Sequence, residues 1–149
     1  MILHLDKIDY DPARVVKGYP VGGFIYVSID DASFPEENWY DMVSVDFENW
    51  LPRLISFSSG HTDTCILTFM DGPYQIQLLR QDRGTVSAQC IRDHKVLIFK
   101  ESVDFDVFIA SVVRCVRQYE RVLHENRQPS QYGNLLAMLK EAVRSRELR

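Results

Sequence analysis

Four short runs of β-type residues follow one another between Thr64 and Lys100, and they constrain the fold more than any other feature of the sequence. Turn residues separate the runs, most clearly Asp71-Gly72, which is a strong hairpin signal. In the second run Tyr74 and Ile76 alternate with glutamines, which places apolar side chains on one face of a strand. The predicted strands cover residues 64–70, 74–78, 85–91 and 95–100. Strands joined in this way predict an antiparallel meander.

Helical patterns flank the meander on both sides. Before it, apolar residues spaced three and four apart predict a helix, and Pro52 inside this stripe predicts a late start or a kink. After it, Asp104 is a predicted N-cap for a helix that runs to about His124, and a last helix follows Pro129. The apolar stripe of the first helix consists of Phe47, Trp50, Leu51, Leu54 and Ile55. An earlier run, residues 24–30, is rich in β-branched and aromatic residues and predicts one more strand.

This order of elements predicts an α+β fold in which an antiparallel meander sheet is packed by two to three helices. A chain of 149 residues fits one domain, 1–149, and residues 130–149 form either part of it or an appended C-terminal helix. We predict a buried core that includes Trp50, Leu51, Leu54, Phe69, Ile76, Phe108, Val112 and Val116. No apolar run approaches the ~20 residues that span a bilayer, and no secretory signal is visible, so we expect a cytoplasmic protein without a membrane partner.

Charge is unevenly distributed along the chain. Residues 1–52 carry ten acidic and three basic side chains, and no cation lies between Lys17 and Arg53. The C-terminal part is richer in arginine, but glutamates are interspersed and the pI is near 5.5, which argues against nucleic-acid binding. An acidic stretch is either a solvated face or a docking surface for a cationic partner.

The acidic stretch also contains two aromatic residues that lie off the helical stripe, Trp39 and Tyr40. Aromatic side chains among charges are typical of interface hot spots. We therefore predict a contiguous negative surface over residues 30–48 that binds a protein partner. The candidate contact residues are Asp30, Asp31, Glu36, Glu37, Trp39, Tyr40 and Asp41.

Catalytic and metal-binding signatures are missing from the sequence. Cys65, Cys90 and Cys115 are widely spaced in apolar runs, which favours core packing in a reducing compartment. The four histidines show no metal-helix spacing, and no nucleophile elbow or phosphate-binding loop occurs. We expect no cofactor, no metal and no enzymatic activity.

A family resemblance adds to this interpretation. The residues that carry it are Phe34-Pro35, Trp39-x-Asp41, Trp50-Leu51 and the run Leu67-x-Phe69-Met70-Asp71-Gly72-Pro73-Tyr74-x-Ile76. Together with the order of elements, they resemble small bacterial immunity proteins of polymorphic toxin and contact-dependent growth inhibition systems, over roughly residues 24–123. The resemblance implies a non-enzymatic protein that binds and blocks a cognate toxin domain, for which a basic nuclease is one candidate, and it assigns no contact residue.

Two alternatives remain open at the level of the sequence. A homo-oligomeric structural or adaptor domain, including a simple homodimer, would show an apolar patch on the last helix or an open sheet edge. A small enzyme of unrecognised type would show a solvent-facing cluster of perturbed titratable groups in a pocket.

Overall fold

The computed structural model describes residues 1–147 and contains two antiparallel sheets. The first sheet is built by strands β1 (Ile2–Asp9), β2 (Gly22–Ile29), β3 (Ala32–Phe34) and β4 (Tyr40–Asp41), and a short helix α1 (Pro12–Val16) connects β1 to β2. β2 lies in the middle, with β1 on one side and the short strands β3 and β4 on the other. Ile25 and Val27 are buried on one face of β2, so the alternating residues Phe24, Tyr26 and Ser28 lie on the opposite face.

The second sheet is the predicted meander. Its strands are β5 (Thr64–Thr68), β6 (Tyr74–Arg80), β7 (Val86–Arg92) and β8 (Lys95–Val103), and each pairs antiparallel with the next. Gly72 has a φ of 77° in the turn between β5 and β6, a conformation that suits glycine. The turn before β7 contains a 3-10 segment, Asp82–Gly84.

Three longer helices complete the fold: α2 (Val43–Ser58), α3 (Phe105–Glu125) and α4 (Gly133–Glu147). Asp104 caps α3 as predicted, because its carboxylate accepts a hydrogen bond from the Val107 amide at 3.1 Å. Helix α4 packs mainly against α2, and Leu136, Leu139 and Ala142 are buried. Leu148 and Arg149, the last positions of the predicted 130–149 helix, lie outside the described residues.

Helices α2 and α3 each run along the outer strand of a sheet and bond to its backbone. From α3, Ser111 Oγ accepts from the Leu3 amide at 2.8 Å and Gln118 donates to the Leu5 carbonyl at 3.0 Å. From α2, Trp50 Nε1 donates to the Thr68 carbonyl at 2.6 Å and Arg53 to the Ile66 carbonyl at 2.7 Å. The free edges of β1 and β5 are therefore occupied by side chains from helices.

The α+β fold class is confirmed, with a β5–β8 meander and three main helices. All eight residues predicted for the core are buried. Of the two alternatives predicted from Pro52, a late start or a kink, the late start is wrong, since α2 begins at Val43 and Pro52 lies inside it at an exposed position. The elements β1, α1, β3 and β4 were not predicted, so the sheet that carries most of the acidic stretch is a new feature of the structure.

Candidate functional site

The seven predicted contact residues separate into two groups in the structure. Asp30, Asp31, Glu36, Glu37 and Tyr40 are exposed, whereas Trp39 is half-buried and Asp41 is only 1% exposed. Residues 39–41 form an extended stretch, so consecutive side chains alternate between solvent and core. The predicted negative surface over residues 30–48 is therefore smaller than expected, because Asp41 and also Asp46 are buried.

Asp41 holds the first sheet to the hairpin of the second. Its Oδ1 accepts hydrogen bonds from the backbone amides of Met42 at 2.7 Å and Asp71 at 3.1 Å. Its Oδ2 accepts from Trp39 Nε1 at 3.1 Å. All of these partners belong to the same chain, so placing Asp41 among exposed docking residues is corrected: it is a buried structural anchor.

A second buried carboxyl group, that of Asp46, binds the next backbone amide of the same hairpin. Asp46 is fully buried, and its Oδ1 accepts from the Met70 amide at 2.9 Å while its Oδ2 has no hydrogen-bond partner among the described residues. Burial, followed by the charge of Asp41, raises the pKa of Asp46 to about 8. Asp46 is thus mostly protonated at neutral pH. We call Asp41 and Asp46, with the amides of Met70 and Asp71 that they bind, the carboxylate clasp.

Aromatic side chains surround the carboxylate clasp. Tyr74 lies with its ring 5.0 Å from Trp39 and 5.7 Å from Phe34, and Phe69 lies 5.2 Å from Trp50, all in edge-to-face geometry. These aromatic residues belong to the motifs quoted in the sequence analysis, and in this structure they pack the β5–β6 hairpin against α2 and β4. Because both carboxyl groups are buried, the clasp is not the solvent-facing cluster expected of an enzyme site.

The raised pKa of Asp46 predicts a pH-dependent stability. A carboxyl group whose pKa is higher in the folded than in the unfolded state stabilises fully below the unfolded pKa, and this stabilisation is lost as the pH rises toward the folded pKa. The ordinary pKa of an aspartate is 3.8, and the pKa of Asp46 in the folded protein is about 8. Between these two pH values the free energy of unfolding therefore falls as the pH increases, because of Asp46. The slope for one such group is about 1.4 kcal/mol per pH unit.

Asp46→Asn is expected to flatten this dependence, since asparagine keeps an acceptor for the Met70 amide and does not titrate. Urea unfolding at about pH 5 and about pH 8 measures the effect through the midpoint and slope. Glu48→Gln, at an exposed position of the same helix, is the matched control and should retain the wild-type pH dependence. Equal pH dependence in wild type and Asp46→Asn would contradict the assignment.

The outer face of the first sheet carries a group of residues that the sequence interpretation missed. Tyr26 donates a hydrogen bond from its hydroxyl to Asp6 at 3.0 Å, and Tyr40 donates to Asp9 at 3.3 Å. Burial, then the hydrogen bond and charge of Asp6, and then the charge of Glu37 raise the pKa of Tyr26. Glu37 therefore belongs to the same negative environment. We call this surface the acidic face; it consists of Asp6, Asp9, Tyr26, Glu37 and Tyr40, together with Glu36, which is exposed and precedes Glu37 in the chain.

The charges at the border of the acidic face are unequal. Burial and then the charge and hydrogen bond of Asp9 raise the pKa of Tyr40, while the positive charge of Arg14 acts in the opposite direction. Lys7 is paired in register with Phe24, so two cations lie at the end of the acidic face near α1. Asp30, at the β2–β3 turn, forms an ion pair with Lys100 of β8 at 2.9 Å. Asp31, Glu36 and Glu37 have no ion-pair partner within residues 1–147, so no neighbouring cationic side chain neutralises their charges.

The cysteines are placed as predicted. Cys65, Cys90 and Cys115 are free and buried in the core, and burial raises the pKa of each thiol to about 12. A thiol with such a pKa is a poor nucleophile at neutral pH. Within the described part of the chain, no three histidine, cysteine, aspartate or glutamate side chains are grouped so that they could hold a metal ion. No helix in residues 1–147 is long and apolar enough to cross a bilayer.

Comparison with protein-family models, with curated proteins and with solved structures gave no significant match to this chain.

Proposed function

We propose that this chain is a cytoplasmic, non-enzymatic immunity protein that binds a cognate bacterial toxin domain and blocks it through the acidic face. The observation that carries the proposal is the grouping of exposed carboxylates around two tyrosines on one face of the first sheet. A tyrosine that combines an apolar ring with a hydroxyl is suited to anchor a protein interface, and here Tyr40 is 39% exposed.

Charge complementarity supports a basic partner. A toxin that cleaves nucleic acid needs a positively charged cleft to bind phosphates, and an acidic surface attracts such a cleft and fills it. Glu36 and Glu37 are exposed and lie on the loop between β3 and β4, where they are free to make contacts. Electrostatic attraction of this kind increases the association rate and makes it sensitive to salt.

The test is protection of a sensitive cell. The proposal predicts that the reading frame directly upstream encodes the toxin. The C-terminal domain of that upstream product is co-expressed with wild-type protein, and wild type should permit growth. The variant Glu36→Lys/Glu37→Lys should lower the association rate by about tenfold or more and reduce protection, since two attractive charges become repulsive. Its thermal stability should remain within about 0.5 kcal/mol of wild type, because both side chains are exposed.

The matched control is Asp82→Lys/Glu125→Lys, which makes the same change in net charge at exposed positions outside the acidic face. This variant should protect as wild type does. Full protection by Glu36→Lys/Glu37→Lys would refute the acidic face as the binding surface. Failure of the wild-type protein to protect against the upstream toxin would refute the immunity function itself.

A further inference from the structure

Helices α3 and α4 run antiparallel, contact each other toward both ends and leave a groove between them. At one end, Arg146 of α4 forms an ion pair with Asp106 of α3. At the other end, Glu120 of α3 accepts a hydrogen bond from the Gln131 amide at 2.9 Å, just before α4 begins. The groove has a volume of about 620 Å³. Because contacts hold the two helices together at both ends, the shape of the groove is set before any partner binds.

Basic side chains line both sides of this groove, which we call the basic groove. They are Arg114, Arg117 and Arg121 on α3, and Lys140 and Arg144 on α4. All five are exposed. The three arginines follow one another at i, i+3 and i+7, so they share one face of α3 and span about 10 Å along its axis. Arg114 also donates a hydrogen bond to the Leu3 carbonyl at 3.5 Å, which holds it beside the first sheet.

The positive charge of the basic groove is largely uncompensated. Within residues 1–147, four of its five cations have no ion-pair partner. The exception is Arg144, whose ion pair with Glu141 is exposed and therefore weak. Two carboxylates also line the groove: Asp106, which is paired with Arg146, and Glu147. The groove therefore attracts anionic groups.

The floor of the basic groove is apolar. It includes Ile109, Ala110 and Val113 of α3 and Val143 of α4. Ile109 and Val113 are buried whereas the cations are exposed, so apolar side chains lie deeper in the groove than charged ones. A helix that binds a membrane surface exposes its apolar side chains on its outer face instead. No aromatic side chain of residues 1–147 lines the groove, so it offers the bases of a single-stranded nucleic acid nothing to stack on.

We propose that the basic groove binds an acidic segment of a partner protein as an amphipathic helix. An apolar stripe on that helix packs against Val113 and Val143 on the floor. Acidic side chains on its two flanks face Arg117 and Arg121 on one side and Lys140 on the other. The arginine row has the length of about two helical turns, which matches a short helical segment. This occupant satisfies both the charge of the walls and the apolar floor.

The probe for the test is a fluorescently labelled synthetic peptide of about 15 residues, in which leucine recurs every third or fourth position and glutamate flanks this stripe. Fluorescence anisotropy measures its binding to the full chain. Wild type should bind the peptide, and binding should weaken as the salt concentration rises. A second peptide has the same composition in an order that destroys the apolar stripe, and it should bind about tenfold more weakly or worse.

Variants of the chain locate the site. Arg117→Glu/Arg121→Glu should raise the dissociation constant of the first peptide by about tenfold or more, because two attractive charges become repulsive. Arg83→Glu/Lys95→Glu is the matched control, since it makes the same change in net charge at exposed positions outside the groove, and it should bind as wild type does. Ala110→Gln leaves the net charge unchanged but places a polar side chain on the floor, so it should weaken binding several-fold. Circular dichroism confirms that each variant is folded.

Several results would overturn the proposal. One is the failure of wild type to bind the first peptide, and another is equal binding of both peptides, since charge alone then explains it. Unchanged binding by Arg117→Glu/Arg121→Glu or by Ala110→Gln, or an equal loss in the control variant, also contradicts the assignment. Tighter binding of a single-stranded oligonucleotide or of anionic lipid vesicles than of the peptide assigns the groove to a nucleic acid or a membrane instead. This inference does not depend on the proposed function, which uses the acidic face.

Discussion

Replacing Trp50 with alanine is expected to lower the free energy of unfolding by about 4–7 kcal/mol, which is a large part of the about 5–15 kcal/mol by which a typical domain is stable. Trp50 is fully buried, and its ring packs edge-to-face on Phe69. Its Nε1 also donates a hydrogen bond to the Thr68 carbonyl at the edge of β5. The substitution therefore removes a large apolar contact, leaves a cavity and deprives a carbonyl group of its partner.

Trp50→Phe separates these contributions. Phenylalanine keeps much of the ring packing but cannot donate to Thr68, so this variant should lose only about 1–3 kcal/mol. Chemical unfolding of both variants under the same conditions gives the two differences. A loss for Trp50→Ala no larger than that for Trp50→Phe would contradict the packing of α2 against β5.

Asp41→Ala should destabilise the protein by about 3–5 kcal/mol, because three donors lose their acceptor at once in a buried position. These donors are the amides of Met42 and Asp71 and Nε1 of Trp39. Urea unfolding near neutral pH measures the change. Glu36→Ala, at an exposed position of the preceding loop, is the control and should stay within about 0.5 kcal/mol of wild type. Similar unfolding midpoints and slopes for Asp41→Ala and wild type would show that the carboxylate clasp does not hold the hairpin.

The meander and the helices could be predicted because their signals are local. Alternation in β6, the turn at Asp71-Gly72 and the capping residue Asp104 each act within a few residues of the chain. Strand β1 was missed although Leu3 and Leu5 alternate with His4 and Asp6, because the polar residues of this short segment obscure the pattern. The covered edge of β1 depends on α3, more than a hundred residues away, which no local pattern reveals.

The candidate site was predicted only in part for a similar reason. Asp41 and Glu36 both lie within two residues of an aromatic residue, and nothing nearby in the sequence distinguishes a buried carboxylate from an exposed one. What buries Asp41 is the arrival of Asp71, thirty residues later. Asp6 and Asp9 were overlooked because they join the acidic face only when β1 pairs with β2. Long-range pairing therefore decides which charges are displayed.

The extended stretch from Trp39 to Asp41 divides two tasks between neighbouring residues. Trp39 and Asp41 are committed to the interior, while Tyr40 and the preceding glutamates are displayed on a loop whose end is fixed by those buried neighbours. A loop fixed in this way loses little conformational entropy when it meets another molecule. It also lets substitutions at Glu36, Glu37 and Tyr40 accumulate without weakening the hairpin attachment. The proposed binding surface can thus change in sequence while the fold that carries it stays the same.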